Sequence, residues 1–191
     1  MSYAERRRFL WTLFLIGLGV LALGATLAPA TTLVPLRFEE LAQESTAVAR
    51  LRCLGSESRW DRGEIWTETR FEVLELDKGL LLGLVTVRMV GGSFGHLHSR
   101  VDGVPVFRTG EEVYLFLWRR QGERYSVLGW SQGTFRIAQQ GETGVETVTQ
   151  DSALAPIFDP RTRAFRRGGI RNLPVGLFRV KLRKALAEDR N

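Results

Sequence analysis

Two histidines stand close together near the middle of the chain, and the sequence contains no others. His96 and His98 are separated by one residue, a spacing at which a strand presents two imidazoles on one face to zinc or copper. Two ligands are too few for a stable site, so Asp102 or Glu111 would have to complete it. Because polar residues are common in glycine-rich loops, we expect this pair to be solvent-exposed and predict neither a metal nor another cofactor.

The same segment carries closely spaced glycines, Gly91, Gly92 and Gly95, which invite comparison with phosphate-binding loops. The Gly-Lys-Ser/Thr ending of such loops is missing and no helical pattern follows, so nucleotide binding is not predicted. Glycine adopts positive φ angles without a Cβ clash, which suits a loop that crosses the mouth of a small β fold. The three glycines are therefore candidate ligand contacts within such a loop.

Four tryptophans interleaved with arginines form a second set of candidate binding residues: Trp60, Trp66, Trp118 and Trp130. Exposed aromatic rings beside guanidinium groups can stack against sugars or nucleobases. Packing in a hydrophobic core explains large aromatic residues at least as well, so both interpretations stay open.

The sequence offers no pattern that predicts catalysis. A serine hydrolase needs a nucleophile elbow and a histidine base, and no Gly-x-Ser-x-Gly occurs. Two carboxylate pairs, Glu72 with Glu75 and Glu111 with Glu112, fall on strand faces that we expect to be solvated. We predict a binding protein, with a metal-dependent enzyme as the most distant alternative.

Residues 1–30 have the organisation of an export signal. Arg6–Arg8 precede an apolar run from Leu10 to Leu27, and Ala28–Ala30 gives the small-x-small pattern at which signal peptidases cut. Cleavage would leave a protein that begins at Thr31. The apolar run of about 18 residues is also just long enough to cross a bilayer as an uncleaved anchor. In both cases we expect an extracytoplasmic body: periplasmic, secreted or membrane-anchored through residues 10–27.

Charge distribution and cysteine content exclude further classes of protein. Residues 31–158 carry 14 basic and 17 acidic side chains, whereas residues 159–191 carry ten basic and three acidic ones. A mildly acidic body argues against a nucleic-acid-binding domain and places the basicity in the tail. Cys53 is the only cysteine, so the chain forms no internal disulfide. Its alternation with Ala49 and Leu51 indicates a core position on a strand.

Strand patterns dominate residues 31–155, the predicted β domain. A short helix is expected from Leu36 to Ser45, and the long strand Ile65–Leu76 loses its alternation near Val73, which indicates a bulge. Glu112–Trp118 is apolar on both faces, as is typical of a central strand covered on both sides. These patterns predict a mainly β fold, a small closed antiparallel barrel of the oligonucleotide/oligosaccharide-binding class, with a β-sandwich as the second choice.

The tail has a different character. Residues 156–172 read as a basic mobile linker, and residues 173–191 as an amphipathic helix with Phe178, Leu182 and Leu186 on one face. Such a helix can lie on an anionic membrane or dock its apolar face on the barrel. The cations that would contact a membrane or partner are Arg161, Arg163, Arg166, Arg167, Arg179, Lys181, Arg183 and Lys184.

Short runs spread over residues 36–138 carry a resemblance to known proteins: Glu44–Leu51, Ser58–Trp60, Phe71–Val73, Lys78–Gly79, Gly91–Gly92, Phe107–Leu117 and Gly133-x-Phe135. Together with the closing basic helix, they resemble a group of exported bacterial proteins without an assigned activity. The order of strands is also similar, more distantly, to the netrin-type module of tissue inhibitors of metalloproteinases, which implies the same barrel class. Those inhibitors chelate zinc through an amino-terminal cysteine, which Thr31–Leu33 does not provide.

We therefore expect an exported, non-enzymatic interaction module of the cell envelope, with an envelope protein or glycan as its partner. An anionic membrane surface is a further expected contact of the tail, and neither nucleic acid nor nucleotide is expected. The alternative is a netrin-like regulator or inhibitor of an extracytoplasmic protease.

Overall fold

The computed structural model describes residues 34–119, 124–140, 144–154, 157–159, 162–166 and 168–188. The predicted export signal lies outside these residues. Among the described residues, no helix is both long and apolar enough to cross a membrane. The helices are α1 (Phe38–Glu44) and α2 (Val175–Ala187), with short 3-10 turns at Trp130–Gln132 and Asp151–Ala153. The strands are β1 (Ala47–Asp61), β2 (Glu64–Lys78), β3 (Leu84–Val90), β4 (Gly92–Phe94), β5 (Leu97–Ser99), β6 (Glu112–Trp118), β7 (Ser126–Val127), β8 (Thr134–Gln140), β9 (Val145–Gln150), β10 (Ile157–Asp159), β11 (Ala164–Arg166) and β12 (Leu173–Pro174).

The fold is mainly β with two helices, as the sequence predicts. One eight-stranded antiparallel sheet has the order β12-β9-β8-β6-β1-β2-β3, and β7 pairs with β6 off this path. The expected closed barrel is not supported, because β12 and β3 remain the edges of an open sheet. A single parallel bridge between Val87 and Tyr125 links β3 to the residue before β7 without a closing ladder. The other described sheets have two strands each, so they do not form the facing sheets of a sandwich.

The long β1–β2 hairpin is bent by extra residues on both strands. The pairing register skips Leu54 on β1, and Leu74 and Asp77 on β2. Each extra residue breaks the alternation and increases the local twist. The skip at Leu74 confirms the bulge predicted near Val73.

One side of the sheet buries what we call the aliphatic core. Alternate residues of β1, β3 and β6 meet there because successive strand residues point to opposite faces. Cys53 is a free, buried cysteine in this core, as its alternation predicts. The buried members are Ala47, Ala49, Leu51, Cys53, Phe71, Val85, Val87, Met89, Phe107, Val113, Leu115, Leu117, Tyr125 and Val127.

The opposite side buries an aromatic core beneath the two helices. The rings of Phe135 and Phe178 lie 5.2 Å apart between centroids, and the Phe38 ring meets Phe116 edge to face at 5.6 Å. Strand β6 is buried on both faces, which confirms its prediction as a central strand. The buried members are Leu41, Ala42, Val48, Tyr114, Phe116, Phe135, Val148, Val175, Phe178, Leu182 and Ala185.

The tail is attached to this core at several points. α2 buries Phe178, Leu182 and Ala185 against the sheet, and β12 extends the sheet by pairing with β9. Within the segment predicted as a linker, β10 and β11 pair as a hairpin, and Ile170 contacts the aromatic core. The described parts of residues 156–172 therefore contain paired strands and core contacts.

Candidate functional site

A pocket of about 540 Å³ lies where the chain leaves β3 and enters the β4–β5 hairpin. Paired strands β1 and β2 form one wall, the hairpin forms another, and residues 100–107 form the third. The apolar part of the lining includes Met89, Val104 and Phe107, which belong to the aliphatic core or pack against it. The pocket is thus the accessible end of that core.

A row of four hydroxyl groups, which we call the hydroxyl row, lines the β1–β2 wall. Ser56 is the cross-strand partner of Thr69, and Ser58 is the partner of Thr67. The hydroxyl oxygens of each pair are 2.8 Å apart. Because the two pairs are two residues apart on each strand, all four side chains lie on the same face.

The inner hydroxyls form a directed chain of hydrogen bonds. Thr67 Oγ1 donates to the carbonyl oxygen of Gly91 at 2.6 Å, so its own proton is used and it accepts from Ser58. Ser58 Oγ in turn accepts from the backbone N–H of Ser93 at 3.3 Å. This chain joins the β1–β2 wall to the hairpin on the other side of the pocket.

Two of the predicted glycines are required by the close approach of the hairpin to the wall. Gly92 has a φ of 131°, and a Cβ at this position would lie 2.3 Å from both Ser58 Oγ and Thr67 Oγ1. Gly91 has a φ of 95°, and its Cβ would lie 2.9 Å from the Ser99 carbonyl oxygen. Gly95, with a φ of 59°, forms the exposed turn between β4 and β5. The glycines thus shape the pocket, which the sequence indicated only as a loop.

The two histidines occupy the exposed hairpin. His98 Nδ1 is 2.8 Å from Ser93 Oγ at the pocket wall, whereas His96 lies in the turn beyond β4. In the described part of the chain, no group of three or more His, Cys, Asp or Glu side chains is arranged to hold a metal ion. The Ser93–His98 contact is one that we did not anticipate from the sequence.

Arg136 fixes the third wall of the pocket. Its guanidinium hydrogen-bonds Asp151 at 2.7 Å, contacts Glu111, and donates to the Val106 carbonyl oxygen at 3.0 Å. The same group lies 5.7 Å from the centre of the Phe107 ring. Burial opposes the charged form, but the bonds to Asp151 and Glu111 outweigh it and raise the pKa of Arg136. Val106 and Phe107 are therefore held in place.

The four candidate tryptophans do not form one platform. Trp60 is near the tip of the β1–β2 hairpin, whereas Trp118 ends β6 beside the first residues of β1. Trp66 lines a second cleft of about 560 Å³, where the Arg88 guanidinium lies 4.5 Å from its ring centroid. Trp130 packs against the aliphatic core. None of the four lines the pocket of about 540 Å³ beside the β4–β5 hairpin, which we call the hydroxyl pocket.

The candidate cations of the tail are distributed over paired and exposed positions. Arg179 is 2.7 Å from Glu75, and Lys181 is 3.1 Å from Glu39, so two of them bind the body itself. The others on α2, Arg183 and Lys184, are exposed, as is Arg163. Arg161 and Arg167 lie outside the described residues, and only the backbone of Arg166 is described. Contact of this tail with an anionic membrane stays a prediction, which would depend on its cations because the apolar face of α2 is covered.

The carboxylates that we expected to be solvated belong to an ion-pair network. Arg50 donates to Glu112 at 2.9 Å and to Glu146 at 2.7 Å, and Arg52 bridges Glu72 and Glu112. The bonds to Glu146 are the main reason for a raised pKa of Arg50. Burial acts against ionisation of Glu112, but the bonds from Arg52 and Arg50 lower its pKa. The opposite charges of β1 and β6 were a usable signal once these strands were known to be neighbours.

Comparisons with protein-family models, with curated proteins and with solved structures found no match for this chain. The resemblances to exported bacterial proteins and to netrin-type modules therefore stay predictions. The netrin-like role would also depend on residues around Thr31, which lie outside the described part. The function has to be argued from the pocket.

Proposed function

We propose that this protein is a non-enzymatic, extracytoplasmic binding module whose pocket takes a polyhydroxylated ligand, namely a glycan of the cell envelope. The proposal rests on one observation: the hydroxyl row lies beside apolar side chains in the same pocket. Ser56 and Thr69 present hydroxyls at the wall, and Met89, Val104 and Phe107 present apolar surface below.

This combination matches the two-sided chemistry of a sugar ring. Serine and threonine hydroxyls each donate one hydrogen bond and accept two, so they complement sugar hydroxyls in either direction. The carbon faces of a sugar ring need apolar contact, which the pocket floor provides. The volume also falls in the range of roughly 300–1,000 Å³ that is usual for small-molecule sites.

The side chains near the pocket that could act as nucleophiles or bases favour binding over catalysis. Ser93 and His98 are hydrogen-bonded but exposed, and among the described residues no carboxylate bonds to the imidazole to orient it as in a triad. Burial raises the pKa of the Cys53 thiol, which keeps it protonated and a poor nucleophile. The extracytoplasmic location rests on the export signal predicted from residues 1–30.

The proposal is tested by removing the outer hydroxyl pair. We expect Ser56→Ala with Thr69→Val to keep the fold, because replacing both partners of a hydrogen bond by apolar groups of similar shape is nearly neutral. Binding of N-acetylglucosamine oligomers, followed by saturation-transfer NMR and calorimetry, should weaken by about tenfold, which corresponds to the loss of one or two hydrogen bonds.

A matched control removes a hydroxyl outside the pocket. The hydroxyl of Thr149, a residue of β9, donates a hydrogen bond to the Asn172 side chain. Thr149→Val should therefore leave sugar binding unchanged. If the unaltered protein binds no envelope glycan, or if both variants bind equally well, the glycan proposal is wrong. Recovery of an envelope protein in place of glycan, with the same sensitivity to Ser56→Ala and Thr69→Val, would reassign the pocket to a protein ligand.

A further inference from the structure

A loop at the other end of β3 exposes leucines to solvent. We call residues 79–84, which connect β2 to the first residue of β3, the leucine loop. Leu80 is 74% exposed, Leu82 is 81% exposed and Leu84 is 66% exposed. Single exposed leucines are ordinary on protein surfaces, but three on one short loop form an apolar tip.

The tip is held out by the rest of the loop. Leu81 turns the other way and packs against the aliphatic core. Gly79 has a φ of 86°, and a Cβ there would lie 2.3 Å from the Thr46 carbonyl oxygen, so the backbone is seated directly on the start of β1. The Gly83 carbonyl accepts a hydrogen bond from the backbone N–H of Val73 at 2.8 Å. Leu80 and Leu82 thus cannot both be buried without releasing Leu81.

An aromatic ring and a cation are attached to the base of this tip. Tyr125 Oη lies 3.4 Å from the Leu80 carbonyl oxygen and donates to it. The guanidinium of Arg119 stacks over the Tyr125 ring at 4.4 Å from its centroid. Arg119 is exposed, and its backbone N–H donates to Thr46 Oγ1 at 3.3 Å. Apolar tips with aromatic and cationic groups set behind them are the arrangement found in proteins that insert into the membrane interface.

We propose that the leucine loop inserts into the headgroup and acyl boundary of an anionic lipid bilayer, with Arg119 at the level of the phosphates. A lipid surface fits the tip better than a second copy of the chain, because a stable protein interface needs about 800 Å² on each partner. Three leucines on a projecting loop do not offer such a surface, whereas a bilayer adapts to it. The exposed Arg119 guanidinium complements anionic headgroups.

This contact goes beyond glycan binding and gives the molecule an orientation. The leucine loop ends at Leu84, the first residue of β3, and the hydroxyl pocket begins at the last residues of this strand, Met89 and Val90. The strand separates the two sites by roughly 20 Å at 3.3 Å per residue. The pocket would then face away from the bilayer that the leucine loop contacts.

The test uses the full chain and places the same fluorophore either on the leucine loop or at the hydroxyl pocket. Leu82→Cys and Val106→Cys are labelled with bimane and mixed with vesicles that contain phosphatidylcholine and about 30% phosphatidylglycerol. Val106 lines the pocket end and is 79% exposed, so it is the matched control. Cys53 is buried with a raised thiol pKa and should stay unlabelled.

We expect brominated acyl chains to quench the probe at position 82 by about twofold and to leave the probe at position 106 unchanged. Adding Leu80→Asp should remove the quenching, and Arg119→Gln should remove its dependence on phosphatidylglycerol. Equal quenching at both positions, or at neither, would overturn the proposal. So would a concentration-dependent dimer in solution that Leu80→Asp dissociates, since the tip would then bind a second copy.

Discussion

Strand β6 contributes to two cores that differ in composition and in what covers them. On one side Val113, Leu115 and Leu117 meet mainly aliphatic side chains, and on the other Tyr114 and Phe116 meet aromatic rings. The aromatic core is covered by both helices, whereas the aliphatic core ends in the pocket. We infer that the covered side mainly stabilises the fold, whereas the open side carries the pocket proposed to bind a ligand.

Removing an aromatic ring from the covered side should give the largest effect. Phe178→Ala deletes a fully buried ring that contacts Phe38, Tyr114 and Phe135, and should lower the free energy of unfolding by about 3–5 kcal/mol. Chemical denaturation measures it. The neighbouring Leu177 is 58% exposed, so Leu177→Ala should change stability little. Comparable losses in the two variants would contradict the assignment of α2 to the core.

Removing the Arg136 guanidinium should affect the open side, in both its stability and its ligand affinity. Arg136→Met leaves Asp151 and Glu111 without their cation, and should cost roughly 2 kcal/mol of unfolding free energy. Because the Val106 carbonyl also loses its donor, glycan affinity should fall in the same variant. Arg59, which pairs with Glu57 at the surface, is the control, and Arg59→Met should change neither quantity. Unaltered glycan affinity in Arg136→Met would separate stability from binding on this side.

A partly buried carboxylate, Asp77, lies at the margin of the covered side and should make stability depend on pH. Burial raises the pKa of Asp77, although Arg179 and Arg183 act in the opposite direction and Glu75 adds to the rise. Its Oδ2 is buried without a partner among the described residues. A pKa raised by folding means that the native state favours the protonated form. Its contribution is complete below the ordinary carboxyl pKa and is lost as pH rises through the folded value.

Asp77→Asn should therefore raise the free energy of unfolding at neutral pH by about 1 kcal/mol and leave it unchanged in acid. Denaturation curves across this pH range would show the difference. Asp61 is the control of opposite sign, because its bond to Arg88 lowers its pKa. Asp61→Asn should lose stability at neutral pH, and that loss should vanish as the pH falls through the folded pKa of Asp61. Parallel pH profiles for the two variants would refute this account.

The smallest effect is expected from the hydroxyl of Tyr114. Its Oη is buried and finds no hydrogen-bond partner among the described residues, so Tyr114→Phe should change stability by less than about 0.5 kcal/mol. Burial raises the pKa of this phenol to about 12. Ultraviolet titration should therefore lose its most alkaline tyrosine step in the variant. A large destabilisation would mean that a bound water or an unseen group satisfies the hydroxyl.

The sequence predicted those features that depend on one strand at a time. The bounds of β6, its burial on both faces and the bulge beside Val73 all follow from local alternation or its failure. The inward position of Cys53 does so as well. The mainly β fold is the sum of such local patterns.

Features that depend on which strands are neighbours could not be read in this way. The pairing of Ser56 with Thr69 requires the register of β1 against β2, which the extra residue Leu54 shifts. The bonds of Arg50 to Glu112 require β1 beside β6, and the open edges of the sheet follow from the strand order, which ends at β12 and β3. The leucine loop was not predicted, because the sequence alone does not distinguish its exposed leucines from Leu81, which packs against the aliphatic core.

The position of β6 in the chain also constrains the order of folding. Its partners on β1 are separated from it by 60 to 70 residues, since Arg52 pairs with Glu112 and Ala47 with Leu117. Contacts of such long range form slowly because a long loop must be closed first. During synthesis, the β1–β2–β3 meander must wait with its apolar residues uncovered until Trp118 has emerged.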